Sequence, residues 1–209
     1  MAISIALCVL VGYLLGSFNG AIVISKLFRH EDVRKKGSGN AGMTNFMRNY
    51  GWSTTILVIA VDLGKAFLAA WLAKLIWPEG GETARMLGGV ASQIGHVFPL
   101  YFGFRGGKGI LSAAGVALAM NWRVFVPLFA LFLLVFFLTK YVSLGSVVAA
   151  ASYPLGFWIC YPGEYAIIAL AGVMAVLAIF MHRGNIQRLI RGQERKTYLH
   201  SSKNKEEKP

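Results

Sequence analysis

Acidic residues are scarce in this chain. Its 209 residues hold 9 Asp and Glu against 21 Lys and Arg, for a formal net charge of +12. Only two cysteines occur, Cys8 and Cys160, and both sit in apolar segments. That excludes a disulfide framework and a cysteine-spaced zinc site. The four histidines form no His-x-x-His pair, and no carboxylate cluster stands ready for zinc or magnesium. No metal and no cofactor is therefore expected. No Lys or Arg precedes Lys26, so the positive n-region of a secretory signal peptide is missing. The first apolar run is expected to stay as a helix. Familiar catalytic patterns are missing too. There is no Gly-x-Ser-x-Gly elbow and no Cys-His pair. The residues five places after the histidines are Lys35, Tyr101, Gln187 and Lys205, so the His–Asp spacing of many acyltransferases does not occur. Arg105-Gly106-Gly107-Lys108-Gly109 fails as a nucleotide P-loop, because Phe102 and Gly109 stand where Gly and Ser or Thr are needed.

What the chain has in abundance is apolar surface. It is 56% hydrophobic, with those residues in long runs, and its mean hydropathy is +0.57. This predicts an all-α integral membrane protein. The basic residues gather at the ends of the apolar runs. That arrangement favours membrane orientation and contact with anionic lipid or substrate over nucleic acid. The first span is expected from Met1 to Ser25, with Gly16-Ser17 and Asn19-Gly20 as small residues for close helix packing. The second runs from Trp52 to Trp77 and carries Asp62 and Lys65 on one helical face, read as a structural ion pair. A third runs from about Met86 to Phe98. A sixth ends near Cys160, and a seventh covers Tyr165 to Met181.

Between them, residues 110–139 are apolar except for Asn121-Trp122-Arg123. One long span or two short ones would fit. Charge decides. With two spans, most of the 21 Lys and Arg residues fall on the cytoplasmic side. With one, the basic C-terminal segment falls outside, against the positive-inside rule. The expectation is therefore about seven spans, several of them short, with the N-terminus outside and the C-terminus cytoplasmic. The two helices around Asn121 would have only about 12 and 16 residues against the usual ~20. A re-entrant pair is the alternative. Residues 1–198 are expected to form one transmembrane domain, and 199–209 a disordered polar tail.

This topology brings four polar clusters to one face: 37–48, 95–109, 140–146 and 182–196. The first is Gly37-Ser38-Gly39-Asn40-Ala41-Gly42-Met43-Thr44-Asn45-Phe46-Met47-Arg48. A glycine-dense turn of this kind is either a flexible loop or a concave anion site. Ser38, Asn40, Thr44 and Asn45 add donors, and Arg48 adds a planar fork suited to phosphate. The other clusters add His96, Gly106, Gly107, Lys108, Ser143, Ser146, His182 and Asn185, with Glu194 almost the only carboxylate. Cations, hydroxyls and amides without acids suit phosphate and carbonyl groups. Singly, His96 and His182 have ordinary structural readings, and Arg183, Arg188 and Arg191 suit lipid contact as well as they suit a site.

With these residues in hand, the chain resembles the bacterial acyl-phosphate-dependent glycerol-3-phosphate acyltransferases. Gly37-Ser38-Gly39-Asn40-x-Gly42-x-Thr44-Asn45-x-x-Arg48 is similar to the family's first motif. Gly95-His96-x-Phe98-Pro99 with Phe104-Arg105-Gly106-Gly107-Lys108-Gly109 is similar to the second. His182-x-x-Asn185-Ile186-x-Arg188-Leu189 with Gly192-x-Glu194-x-Lys196 is similar to the third. Asp62-x-x-Lys65 and Val142-Ser143-Leu144 match as well. The departures are Met43 for a common Ala, Gly145 for Ser or Ala, and Asn19 for Pro.

The resemblance implies acyl transfer from acyl phosphate to the 1-hydroxyl of sn-glycerol 3-phosphate, the first acylation of phospholipid synthesis. It implies a monomeric enzyme of the bacterial inner membrane, with its site on the cytoplasmic face and no nucleic acid, metal or cofactor. Ser38, Asn40, Arg48, His182 and Asn185 would be catalytic. Gly37, Gly39, Gly42, Thr44, Asn45, His96, Gly106, Gly107, Lys108, Ser143 and Ser146 would bind substrate, and Asp62, Lys65 and Glu194 would be structural. The first loop would hold the donor phosphate. Lys108, Arg48 and the Gly106-Gly107 backbone would hold the acceptor phosphate, and the acyl chain would lie in an apolar groove. An acyl phosphate is already activated, so no enzyme nucleophile is needed. Either His182 or a substrate phosphate would take the proton. A membrane transporter for an organic phosphate is the rival reading, distinguished by whether product forms in detergent without a second compartment.

Overall fold

Apolar stretches with no water available satisfy their backbone groups internally, and helices are the local solution. The computed structural model, which describes residues 1–198, has ten α-helices. They are α1 (Ala2–Ser17), α2 (Gly20–Arg29), α3 (Met43–Tyr50), α4 (Trp52–Ile76), α5 (Gly81–Val97), α6 (Ile110–Met120), α7 (Trp122–Thr139), α8 (Val142–Cys160), α9 (Tyr165–Met181) and α10 (Arg183–Ile190). No strand occurs among the described residues. The expected tail, 199–209, lies outside them.

Two asparagines set breaks in the apolar runs. Asn19 Oδ1 accepts the Ile22 N–H at 3.1 Å and caps α2. The first run, expected to be continuous to Ser25, therefore breaks after Ser17. Asn121 Oδ1 accepts the Arg123 N–H at 2.9 Å and caps α7. The expected interruption at Asn121 is present, between helices of 11 and 18 residues. The third run begins earlier than expected, at Gly81.

Small residues let α1 and α5 pack closely. Gly12 lies against Gly88 and Ala91, and a side chain at Gly16 would collide with the Ser92 carbonyl. At one end of the bundle Cys8 lies 3.4 Å from the Ala73 carbonyl, and the Tyr161 hydroxyl donates to Met120 O at 2.9 Å. At the other end Leu100 N–H donates to Ser17 Oγ at 3.2 Å, and Thr197 N–H to Lys140 O at 2.9 Å. Helices α1 and α4 to α9 thus run back and forth between the two ends, and residues 1 and 198 lie toward opposite ones. By length and apolarity alone, four segments could cross a membrane: Ala2–Arg29, α4, α7 and α8. The α9–α10 pair, bent by 57°, would make a fifth if taken as one span.

The larger buried cluster joins α4 to α9 around Met86, Val116, Phe157 and Met174. A smaller one, with Ile22, Val33, Ala41, Phe46 and Val58, flanks residues 37–42. Burial of the fully covered Phe46 side chain contributes about 1.5–3 kcal/mol to seating that loop.

Candidate active site

The first glycine loop has a defined shape. Gly37 and Gly39 adopt φ of +57° and +71°, the left-handed region that favours glycine. Asn45 holds the loop from inside. Its Oδ1 accepts the Ser38 N–H at 2.9 Å. Its Nδ2 donates to the carbonyls of Val33, Lys36 and Asn40 at 3.0–3.2 Å. A Cβ at Gly37 would collide with that same Oδ1. Asn45, expected to touch substrate, has both amide atoms engaged by the loop. The Ser38 hydroxyl and the Asn40 carboxamide have no hydrogen-bond partner among the described residues. Ser38 is exposed, Asn40 and Thr44 half-buried. Gly42 is the N-cap of α3, which carries Arg48.

In the second loop, the Gly106 N–H donates to Val97 O at 3.0 Å and the Gly107 N–H to His96 O at 3.1 Å. These two amides were expected to meet a phosphate; the chain's own carbonyls occupy them. Here glycine serves close approach, since a side chain at either position would collide with the His96 residue. Arg34 joins the two loops, and its sequence position showed only a basic run. Its Nη1 donates to Phe102 O at 2.6 Å and Arg105 O at 2.9 Å, while Nη2 pairs with Asp32 at 2.7 Å. The Asp32-x-Arg34 spacing was the available signal.

Lys108, Asn185, Ser143 and Glu194 form one connected set. Lys108 Nζ donates to Asn185 Oδ1. Asn185 Nδ2 and Ser143 Oγ donate to Glu194 Oε1 at 2.6 and 2.8 Å. Arg188 Nε donates to Glu194 Oε2 at 2.7 Å. Burial would raise the Glu194 pKa, but the Asn185, Ser143 and Arg188 hydrogen bonds outweigh it and hold the carboxylate below its ordinary range. Burial pushes Lys108 down to about 8; Glu194 opposes that shift, while Arg188 and Arg48 add to it. Arg48 Nη2 donates to Arg195 O at 3.1 Å and Thr197 Oγ1 at 2.7 Å. The segment after α10 thereby straps α3 to the start of α8. Thr197 went unread in the sequence.

His182 is buried in the bend between α9 and α10, three residues before Asn185. Its Nδ1 lies 2.8 Å from Ala178 O. A carbonyl only accepts, so Nδ1 carries the hydrogen and Nε2 carries the lone pair in the neutral ring. Burial, reinforced by Lys108, pushes His182 down to about 4. Ser146, expected at the site, donates to Val142 O at 2.9 Å within its own helix. His96 stands apart from the Glu194 set, with Nδ1 3.0 Å from Lys65 Nζ. Lys65 in turn pairs with Asp62 at 2.8 Å.

A profile of the family described as glycerol-3-phosphate acyltransferase matches residues 6–192. The chain belongs to that family. It is 37% identical to the glycerol-3-phosphate acyltransferase of Staphylococcus carnosus, over 92% of this chain and 97% of that one. It is 40% identical to that of Shouchella clausii, over 94% and 97%. A crystal structure described as PlsY (YgiH), an integral membrane glycerol 3-phosphate acyltransferase in its glycerol 3-phosphate form, superposes with a TM-score of 0.86. The two are 36% identical, over 93% of this chain and 96% of that one.

Of the three departures noted in the sequence of this member of the acyltransferase family, the structure accounts for two, Asn19 and Gly145. Asn19 caps α2 and also donates to Ala41 O at 3.1 Å, supporting the first loop from below. Gly145 sits where a Cβ would come within 2.9 Å of Phe132 O, so Ser or Ala there requires α7 to move. Nothing in the structure explains Met43.

Proposed function

We propose that this integral membrane protein transfers a fatty acyl group from acyl phosphate to the 1-hydroxyl of sn-glycerol 3-phosphate. The products are 1-acyl-sn-glycerol 3-phosphate and phosphate. The observation that carries the reading is the Lys108–Asn185–Glu194–Ser143 set, at the same end of the bundle as the Ser38 loop and in a chain of this family. In this reading the membrane is the bacterial cytoplasmic membrane, α1 and α4 to α9 give seven spans, and the site end faces the cytoplasm. One chain supplies every proposed residue, so a monomer suffices.

The Ser38 loop receives the donor phosphate, with the Ser38 hydroxyl and Asn40 carboxamide as donors. Lys108 and Arg48 receive the acceptor phosphate, and Asn185 and Ser143 orient the glycerol. The acceptor hydroxyl oxygen attacks the acyl carbon, the bond from that carbon to the phosphate oxygen breaks, and phosphate departs with the electron pair. His182 Nε2, which carries the lone pair of the neutral ring, accepts a hydrogen bond from the attacking hydroxyl in this reading. As a base it is weak, with a pKa of about 4. A phosphate, with a pKa of about 6, is the stronger base by about 2–3 kcal/mol. The proton therefore goes to a substrate phosphate, and His182 orients the hydroxyl. Purified protein supplied with glycerol 3-phosphate and, in turn, acyl phosphate, acyl-CoA and acyl carrier protein tests the reading; only acyl phosphate should give product.

A further inference from the structure

Beneath the second loop lies a charged cluster to which the proposed reaction gives no part. Asp62, Lys65 and His96 are all buried. Asp62 Oδ1 accepts the Gly20 N–H at 2.9 Å and pairs with Lys65 Nζ at 2.8 Å. Lys65 Nζ also donates to Phe18 O at 3.0 Å and reaches His96 Nδ1 at 3.0 Å. One ammonium thus reaches the carbonyl opened by the α1–α2 break, one oxygen of the carboxylate and the imidazole, while Asp62 Oδ2 is buried without a hydrogen-bond partner among the described residues. His96 Nδ1 also lies 3.4 Å from Asp62 Oδ1, and the shorter contact to an ammonium, which can only donate, makes Nδ1 of a neutral His96 the acceptor.

The other edge of that ring is pressed against the site. A Cβ at Gly107 would collide with His96 Nε2 and come within 2.8 Å of Ala41 O. Gly107 is therefore wedged between the imidazole and the floor of the first loop. The Gly107 N–H is bound to His96 O. The next residue is Lys108, whose ammonium bonds to Asn185. On the other side, Ala41 O accepts from Asn19, in the same break that Lys65 holds.

We infer that Asp62, Lys65 and His96 are positioning residues, which set Lys108 and the Ala41 loop in register by clamping Gly107. This rests on the reading of Lys108 as the ligand of the glycerol 3-phosphate phosphate. A local clamp affects ground-state binding through Lys108 more than the chemical step, whereas a merely structural pair affects only the amount of folded protein.

The two ring nitrogens separate these roles. In His96→Asn, an amide oxygen can take the place of Nδ1 beside Lys65, but the space against Gly107 is vacated. In His96→Gln, the longer amide reaches the Nε2 position. Steady-state kinetics in detergent, with melting temperatures, should show His96→Asn raising the KM for glycerol 3-phosphate about tenfold with kcat within about threefold, because a displaced binding group chiefly costs binding. His96→Gln should recover most of the loss. Asp62→Asn, measured the same way, serves if His96→Asn does not fold. An unchanged KM in a folded His96→Asn or Asp62→Asn protein overturns the inference, and so does failure of both to fold. Lys108→Met separates the layers. If it raises that KM while His96→Asn does not, the positioning role alone fails. If Lys108→Met leaves KM unchanged, the phosphate assignment falls and the inference with it.

Discussion

Lys108 is where charge and pH meet. Burial holds its pKa near 8, so the free enzyme begins to lose this cation just above neutrality. The sign follows directly. A phosphate ligand prefers the protonated amine, which is present below about 8 and lost above it, while glycerol 3-phosphate reaches its dianion above about 6. The KM for glycerol 3-phosphate should be lowest between those values and rise on the alkaline side. In Lys108→Arg the guanidinium stays charged past about 12, so the alkaline rise should flatten. An unaltered rise in that variant, in KM measured from pH 7 to 10, would sink the assignment. His182 makes the complementary case. If it orients rather than deprotonates, His182→Ala should cost less than the ~10²-fold expected at minimum for a lost general base, and the acid limb of the pH–rate profile should persist near 6. A larger loss, with the limb abolished, would make His182 the base.

At the scale of elements, the glycine loop depends on an amide it does not contain. Asn45, on α3, makes four hydrogen bonds to the 33–40 segment from a nearly closed position. Asn45→Ala should free residues 34–42, costing about 2–3 kcal/mol from unpaired backbone groups. It should appear as faster proteolysis within that loop and at least a tenfold fall in turnover at unchanged KM for the acceptor. Wild-type cleavage would contradict the scaffold role. The sequence made the loop legible, because glycine, hydroxyl, amide and arginine occur together in an otherwise apolar chain. It did not separate Asn40 from Asn45. Both are asparagines in one turn, and only the fold turns Asn45 inward. Gly106 and Gly107 illustrate the same limit, since composition shows flexibility but not where an N–H points. The break at Asn19 was missed for a related reason: within an apolar run, asparagine reads equally as a packed polar residue and as a helix cap.

For the whole molecule, charge placement was the most informative property of the sequence. Counting basic residues placed the break at Asn121 and brought four polar clusters to one end, and the contacts join them there. Helix length alone would have misled, because α6 has only 11 residues. Sidedness is open to direct test. In a background with Cys8→Ala and Cys160→Ala, a membrane-impermeant maleimide added to intact spheroplasts should label Arg123→Cys. It should label Arg195→Cys only after permeabilisation. The reverse pattern would invert the topology. Acyl transfer from acyl phosphate is tested most directly with the purified wild-type protein in detergent. With glycerol 3-phosphate and acyl phosphate it should release lysophosphatidate and phosphate in equal amounts, and acyl-CoA or acyl carrier protein should give none. Product from either thioester donor, or none from acyl phosphate, would contradict the account.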